Sequence, residues 1–224
     1  MPALILAVDT TGESGSVALL RGRDVIAEVL LDSPDGFAHV LFGRIEEMLA
    51  RHGWPLKEVD CFASASGPGS FTGVRVSLTA VKGLAEALGK PVVGVSNLRA
   101  LAWFGSAEVR APFLDARRGE VYGGLYDSGL HPLGEERVIP FADWLAVLPR
   151  SLLELVTFDF QPFAAELAET PFGSMPRVTA PRALAPAIAR IALEEFEAGR
   201  AMDPAALDAN YVRRSDAELN WKDG

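Results

Sequence analysis

One stretch constrains this chain more than any other: 65-ASGPGSFTGVRVSLTAVKGLAEALG-89. An apolar run, 59-VDCFASA-65, ends in a glycine-rich loop, and the loop opens a helical pattern. Strand, glycine loop and helix in that order commit the chain to an α/β layer architecture. Gly67-Pro68-Gly69 permits a turn with positive φ. Ser70 or Thr72 is placed to cap the helix. Its free N–H groups offer a seat for an anion. The spacing is not that of a P-loop, which needs a lysine directly after its second glycine; here Gly73 is followed by Val74 and Arg75. The residues alone leave two readings, a phosphate cradle and a structural turn, and favour the turn.

The following helix carries an apolar stripe, Phe71, Val74, Leu78, Val81, Ala85 and Leu88, at spacings of three and four. A second line of Gly73, Ser77, Ala80, Leu84 and Ala87 suits close approach of a helix, in the same domain or in a second subunit. Upstream, 3–9, 16–22 and 24–32 read as strands of an antiparallel meander. Residues 34–53 read as a helix with Phe37, Leu41, Ile45, Met48 and Leu49 on one face, ended by Gly53. Residues 91–96 form a strand, and Ser96 is placed to cap a short helix. In the second half, 112-PFLDARRGEVYGGLYD-127 repeats the theme of 4-LILAVDTTGESGSVALL-20: a strand ending in aspartate, Asp9 or Asp115, then a polar turn and a second strand. Helices are expected at 141–148, 161–169 and 184–199, and a strand at 152–159. The division expected is 1–110, 111–211 and a polar tail at 212–224.

The charge balance narrows function. A net charge of −9 with no long basic run argues against a protein that neutralises many phosphates by itself. No apolar run approaches the roughly 20 residues that span a bilayer, and the apolar N-terminus lacks a basic flank and cleavage site, so it reads as a strand. One cysteine, Cys61, excludes an internal disulfide framework and suits a cytoplasmic setting and a core position. Trp54, Trp103 and Trp144 suit packing, whereas Trp221 in the polar tail suggests docking onto the chain or a partner.

Four segments, LAVDTTGESGSVALL (6–20), SASGPGSFTGVRVSLTAVKGLAEALGKPVVGVSNLRALA (64–102), LDARRGEVYGG (114–124) and NYVRRSDAELNWK (210–222), together resemble the TsaB (YeaZ) family. The resemblance implies a two-lobed actin-like (ASKHA, ribonuclease H-like) α/β fold with a degenerate second lobe. It implies a non-catalytic scaffold subunit that binds and activates a TsaD-like transferase. With a TsaE-like ATPase, that complex threonylcarbamoylates a tRNA adenosine next to the anticodon. It further implies a homodimer that shares a helical surface with the TsaD-like partner, and tRNA contact only through the complex.

By that analogy the interface draws on Phe37, Val40, Leu41, Arg44, Gly73, Arg75, Ser77, Ala80 and Leu84. Ala80→Glu or Val40→Glu is then expected to abolish assembly without unfolding the chain. Asp9, Thr10, Thr11, Gly69 and Ser70 are the candidate phosphate contacts. No catalytic residue and no metal are expected: the H-x-x-x-H pair of the catalytic relatives is reduced to His39, with Gly43 at the second position. No cofactor of its own is expected, and ATP or ADP is assigned to the partner interface. Phe37 stands near the point where the family often has a histidine. The rival reading is an autonomous actin-like ATP-dependent enzyme with Asp9 and Asp115 around magnesium and nucleotide. A metallopeptidase is disfavoured because H-E-x-x-H is missing. A binding module unrelated to tRNA is the third reading.

Overall fold

The computed structural model describes residues 1–150 and 153–212. From the N-terminus the elements are β1 (Leu4–Asp9), β2 (Gly15–Arg21), β3 (Asp24–Leu31), α1 (Leu41–Arg51), β4 (Cys61–Ala65), α2 (Phe71–Leu88), β5 (Val92–Val95) and α3 (Asn97–Ala102). There follow β6 (Val109–Arg117), β7 (Glu120–Gly123), β8 (Tyr126–Asp127), β9 (Arg137–Pro140), α4 (Phe141–Val147), β10 (Glu154–Thr157), α5 (Ala164–Ala168), β11 (Arg177–Thr179) and α6 (Ala185–Glu197).

The chain forms two compact units. Residues Met1–Ala100 and Arg182–Asn210 make the first, and the second is built on Leu101–Pro181. The sheet of the first unit has the order β3-β2-β1-β4-β5. Its meander β1-β2-β3 is antiparallel, as the short polar links require, while β4 and β5 run parallel to β1. All six residues of β1 are buried. Side chains alternate across a sheet. Leu4, Leu6 and Val8 therefore join a core with α1 and α2, and Ile5 and Ala7 point to the face that α6 covers. Cys61 lies wholly inside this sheet, and burial pushes its thiol up to about 12, with the nearby Asp60 carboxylate adding to the shift.

The expected second lobe, 111–211, is cut short because α6 belongs with the first unit. Ala185, Ile188, Ala189 and Ala192 are buried along that helix, and the Ala185 N–H donates to Ser16 Oγ at 3.1 Å. Arg99 in α3 and Glu195 in α6 form an ion pair at 2.7 Å. Beyond α6 the chain runs back along the open edge of β5. Met202 exchanges two backbone hydrogen bonds with Val92, at 2.8 and 2.9 Å, and the Asn210 N–H donates to the Ser66 carbonyl at 2.8 Å. Leu207 plugs the space left by Gly94.

The second unit repeats the plan. Its sheet order is β11-β10-β6-β7-β9, with β7 antiparallel to β6 and β10 and β11 parallel to it. Phe113, Phe141, Trp144 and Phe163 pack as an aromatic core under α4, with Phe141 and Phe163 ring centres 4.6 Å apart. The helix expected at 161–169 survives only as the five residues of α5, flanked by 3-10 turns. Strands β8, β9 and β11 are too short for alternation to reveal. The tail from residue 213, including Trp221, lies outside the described residues.

Candidate protein interface

The glycine-rich loop is built against the end of β1. Thr11 accepts from the Ser70 N–H through its carbonyl at 2.8 Å, and Thr10 Oγ1 donates to the Gly73 carbonyl at 2.7 Å. A Cβ on Gly69 would lie 2.7 Å from the Thr11 carbonyl oxygen, and one on Gly73 would overlap that of Thr10. These two glycines are therefore demanded by close backbone approach. Ser70 is the helix cap, its Oγ accepting from the Gly73 N–H at 3.3 Å.

Asp9 sits beneath this latch, 2% exposed. Its Oδ1 accepts from the Thr11 N–H at 2.9 Å and the Thr11 hydroxyl at 2.6 Å. Asn97 donates to the Thr11 hydroxyl and accepts from the Gly67 N–H at 3.1 Å, joining α3 to the loop. Burial raises the Asp9 carboxyl above its ordinary value, against the opposing pull of the Thr11 and Asn97 hydrogen bonds. Of the five candidate phosphate contacts, Asp9, Thr10 and Thr11 are buried, Gly69 is half-buried, and only Ser70 is exposed. The space beyond the strand end is filled by α2 itself, so the geometry is that of a latch. Asp115, the second strand-end aspartate, is exposed and accepts from the Arg117 N–H at 2.7 Å.

The structure divides the nine interface candidates. Gly73, Ser77 and Ala80 face the chain's own sheet: Ser77 Oγ donates to the Val8 carbonyl at 2.9 Å and lies 2.8 Å from Ser64 Oγ. The first three residues of that line thus serve internal packing, while Leu84 is half-buried and Ala87 exposed. Phe37 and Leu41 are core residues as well. Ala80 is 5% exposed, so Ala80→Glu is expected to place a carboxylate in the core and destabilise the fold, where the sequence expectation was a change that spares it. Val40 and Leu84 are half-buried, and Arg44 and Arg75 are exposed. Arg44 pairs with Glu47 at 3.1 Å, and the Arg75 guanidinium lies over the Phe71 ring at 4.0 Å. The helix expected from residue 34 starts at Leu41, because Gly36 takes a positive φ of 89° and turns the chain. His39 lies in that turn, 3.3 Å from Ser33 Oγ.

Two large apolar side chains also remain exposed on α1 and α2. Phe42 is 52% exposed and Phe71 44%. A groove of about 570 Å³ lies along α1 and the link that follows it, lined by Phe42, Ile45, Leu49, Trp54, Leu56 and, from α2, Leu84, with Glu46 at its lip. Of these, only Leu84 was among the expected interface residues. Phe42 was legible in principle: it falls one position past Leu41 and so off the core-facing stripe, yet it is a large apolar residue. Among the described residues no cluster of three or more histidine, cysteine or acidic side chains is arranged to hold a metal. No helix there is long and apolar enough to cross a membrane.

Residues 36–172 match the family model for TsaD, tRNA N6-adenosine threonylcarbamoyltransferase. The tRNA threonylcarbamoyladenosine biosynthesis protein TsaB of Bacillus subtilis is 37% identical over 153 residues, 64% of this chain and 65% of that protein. Its counterpart in Escherichia coli is 36% identical over 126 residues, 54% of each chain. The matched stretch therefore spans between about half and two thirds of these curated relatives. Among solved structures, a Pseudomonas aeruginosa protein described as uncharacterized with similarity to peptidase YEAZ superposes with a TM-score of 0.80. It is 27% identical, over 94% of this chain and 100% of that one. An activator of 2-hydroxyisocaproyl-CoA dehydratase from Clostridium difficile shares the fold at a TM-score of 0.51 and 9% identity, over 89% and 97% of the two chains. The actin-like, ribonuclease H-like fold expected from the sequence is the one observed.

Proposed function

The chain belongs to the TsaD family of that model, as a member of TsaB/YeaZ type, and on that premise we propose that it is a non-catalytic subunit of a tRNA threonylcarbamoyladenosine-forming complex. It binds a TsaD-like transferase and holds it in a competent form. One observation carries this reading: the apolar groove along α1 and the link after it, touched from α2 by Leu84, with the half-exposed Phe42 in its lining. An exposed apolar patch rimmed by charge marks a protein contact. In this reading the chain has no cofactor of its own, and ATP or ADP belongs at the partner contact. A TsaE-like ATPase joins the assembly, tRNA is met through the partner, and the homodimer uses the same helical face. The setting is the cytoplasm.

Two features argue against the autonomous ATP-dependent enzyme. The Asp9 carboxyl is closed off by the α2 latch and held toward its protonated form. Asp115 is exposed on the other turn and is bonded there to Arg117.

The test is co-purification with a TsaD-like subunit and titration of that pair. Phe42→Glu is expected to weaken the complex by about 100-fold, the scale of a lost interface anchor, with the melting temperature of the isolated chain unchanged. Full-strength binding by this variant would sink the interface. ATP turnover by the isolated chain, lost in Asp9→Ala, would sink the non-catalytic reading.

A further inference from the structure

We propose that Arg117 and Arg118, at the tip of the β6–β7 hairpin, hold two phosphates of a bound RNA strand. This role rests on the reading above that the assembly acts on tRNA, and adds to it a contact made by this chain itself. The backbone at the tip makes a strong demand on its sequence. Arg117, Arg118 and Gly119 all take positive φ, at 67°, 57° and 76°. Arg117 pairs with Glu120, so Arg118 and Gly119 form a two-residue loop with both residues left-handed. Asparagine, aspartate or glycine suits the first place of such a loop. Arg117 follows a shift of register between Asp115 and Arg117, and glycine is the residue that suits a left-handed bulge. A residue with a Cβ resists this conformation. The chain thus sets arginine at two adjacent positions where the backbone favours another residue.

Packing does not ask for arginine there either. The Arg117 side chain is 72% exposed, and Arg118 is exposed. Among the described residues of the first unit, the corresponding link 10–14 has no positive φ and no cation. A local conflict between residue and backbone is expected where function requires the side chain. Asp115 shapes the tip: it accepts from the Arg117 N–H at 2.7 Å, and its Oδ2 lies 4.0 Å from the Arg117 guanidinium. Glu120 stands across the ladder from Arg117. Both carboxylates are at the base of the loop, whereas Arg118 is in the loop itself. Two guanidinium groups on neighbouring residues suit a ligand with charge repeated along its length. A phosphodiester strand has that character, and the planar fork of arginine fits phosphate oxygens. Such contacts position a nucleic acid without reading its sequence. With a net charge of −9 the chain supplies a local contact, and its partner supplies most of the neutralisation.

The test uses the full chain assembled with its TsaD-like subunit and a fluorescent tRNA, titrated over a range of potassium chloride. Arg118→Asn and the double variant Arg117→Gln/Arg118→Asn are compared with the native chain. The readouts are Kd for tRNA with its salt dependence, Kd for the subunit, Kd for ATP, and the melting temperature of the isolated chain. Arg118→Asn is expected to raise the melting temperature by about 2 °C, because asparagine suits the loop. The double variant is expected to weaken tRNA binding by about 10-fold, the scale of a lost charge-assisted hydrogen bond. It should also lower the slope of log Kd against log salt by about 1 to 2. Subunit binding is expected to stay the same. An unchanged tRNA Kd and slope, in an assembly whose native form binds tRNA, overturns the role of the arginines and leaves the assembly standing. A native assembly that binds no tRNA overturns both. Weakened subunit binding makes the tip a protein contact, and weakened ATP binding with tRNA unchanged makes the phosphate that of a nucleotide; either result overturns the RNA assignment.

Discussion

The two units use one strand order for different ends. In each, an antiparallel pair follows a central strand with an aspartate at or near its end, Asp9 closing β1 and Asp115 two residues before the end of β6, and two parallel strands lie on its other side. The difference lies in the helix between those parallel strands. Between β4 and β5 stands α2, with 18 residues; between β10 and β11 only the five of α5 remain. The long helix reaches over the end of β1 and closes the turn at Asp9. No such helix follows β10, and Asp115 stays in solvent. The same residue type at the same topological point is thus a buried structural carboxyl in one unit and a surface residue in the other. A strand-end aspartate acquires its chemistry from the helix that does or does not cover it.

That contrast predicts a ranking of effects. The largest falls on the latch. Gly73→Val forces a side chain into the Thr10 carbonyl and is expected to cost about 3 kcal/mol, the upper range for overpacking. Urea unfolding measures it; a loss under 1 kcal/mol would mean that the latch yields readily and that the contrast between the units is overstated.

Next comes the pH dependence of Asp9. Its folded value lies above the ordinary 3.8 because burial disfavours the charge. Folding therefore favours the protonated form. The stability linked to this group is fully present below pH 3.8 and is lost as pH rises from there through the folded value. Asp9→Asn keeps an acceptor for Thr11 without the charge. Its stability relative to the native chain is expected to improve as pH rises from 4 to 7, in unfolding curves taken across that range. A native chain that gains stability on Asn over the same interval would reverse the sign. The smallest effect is Asp115→Asn, expected to shift stability by less than about 0.5 kcal/mol at any of these pH values, as for most exposed sites. A change comparable to that of Asp9→Asn would erase the distinction between the turns.

The sequence carried a good part of this molecule. The meander, α2 to its ends, the caps at Ser70 and Ser96, and the core stripe of α1 follow from local periodicity and side-chain capping, which depend on neighbours a few residues away. So did the resemblance to a family and the actin-like fold. Other features escaped local reading because they are set by partners far along the chain. Ser77 and Ala80 looked available for a second subunit, since small residues at helical spacing read alike whether they meet the chain's own sheet or a foreign helix; only the packing of α2 on β1 and β4 sends them inward. Phe42 and the groove it lines became visible once Trp54 and Leu56, from the link after α1, and Leu84, from α2, were brought beside α1. The place of α6 was likewise undetermined by its own amphipathic pattern, because a helix specifies that it has an apolar face and not which sheet will receive it. Asp9 and Asp115 make the same point at a single residue type: sequence placed each at a strand-to-turn junction, although β6 runs two residues past Asp115, and tertiary structure alone decided which of them is removed from water.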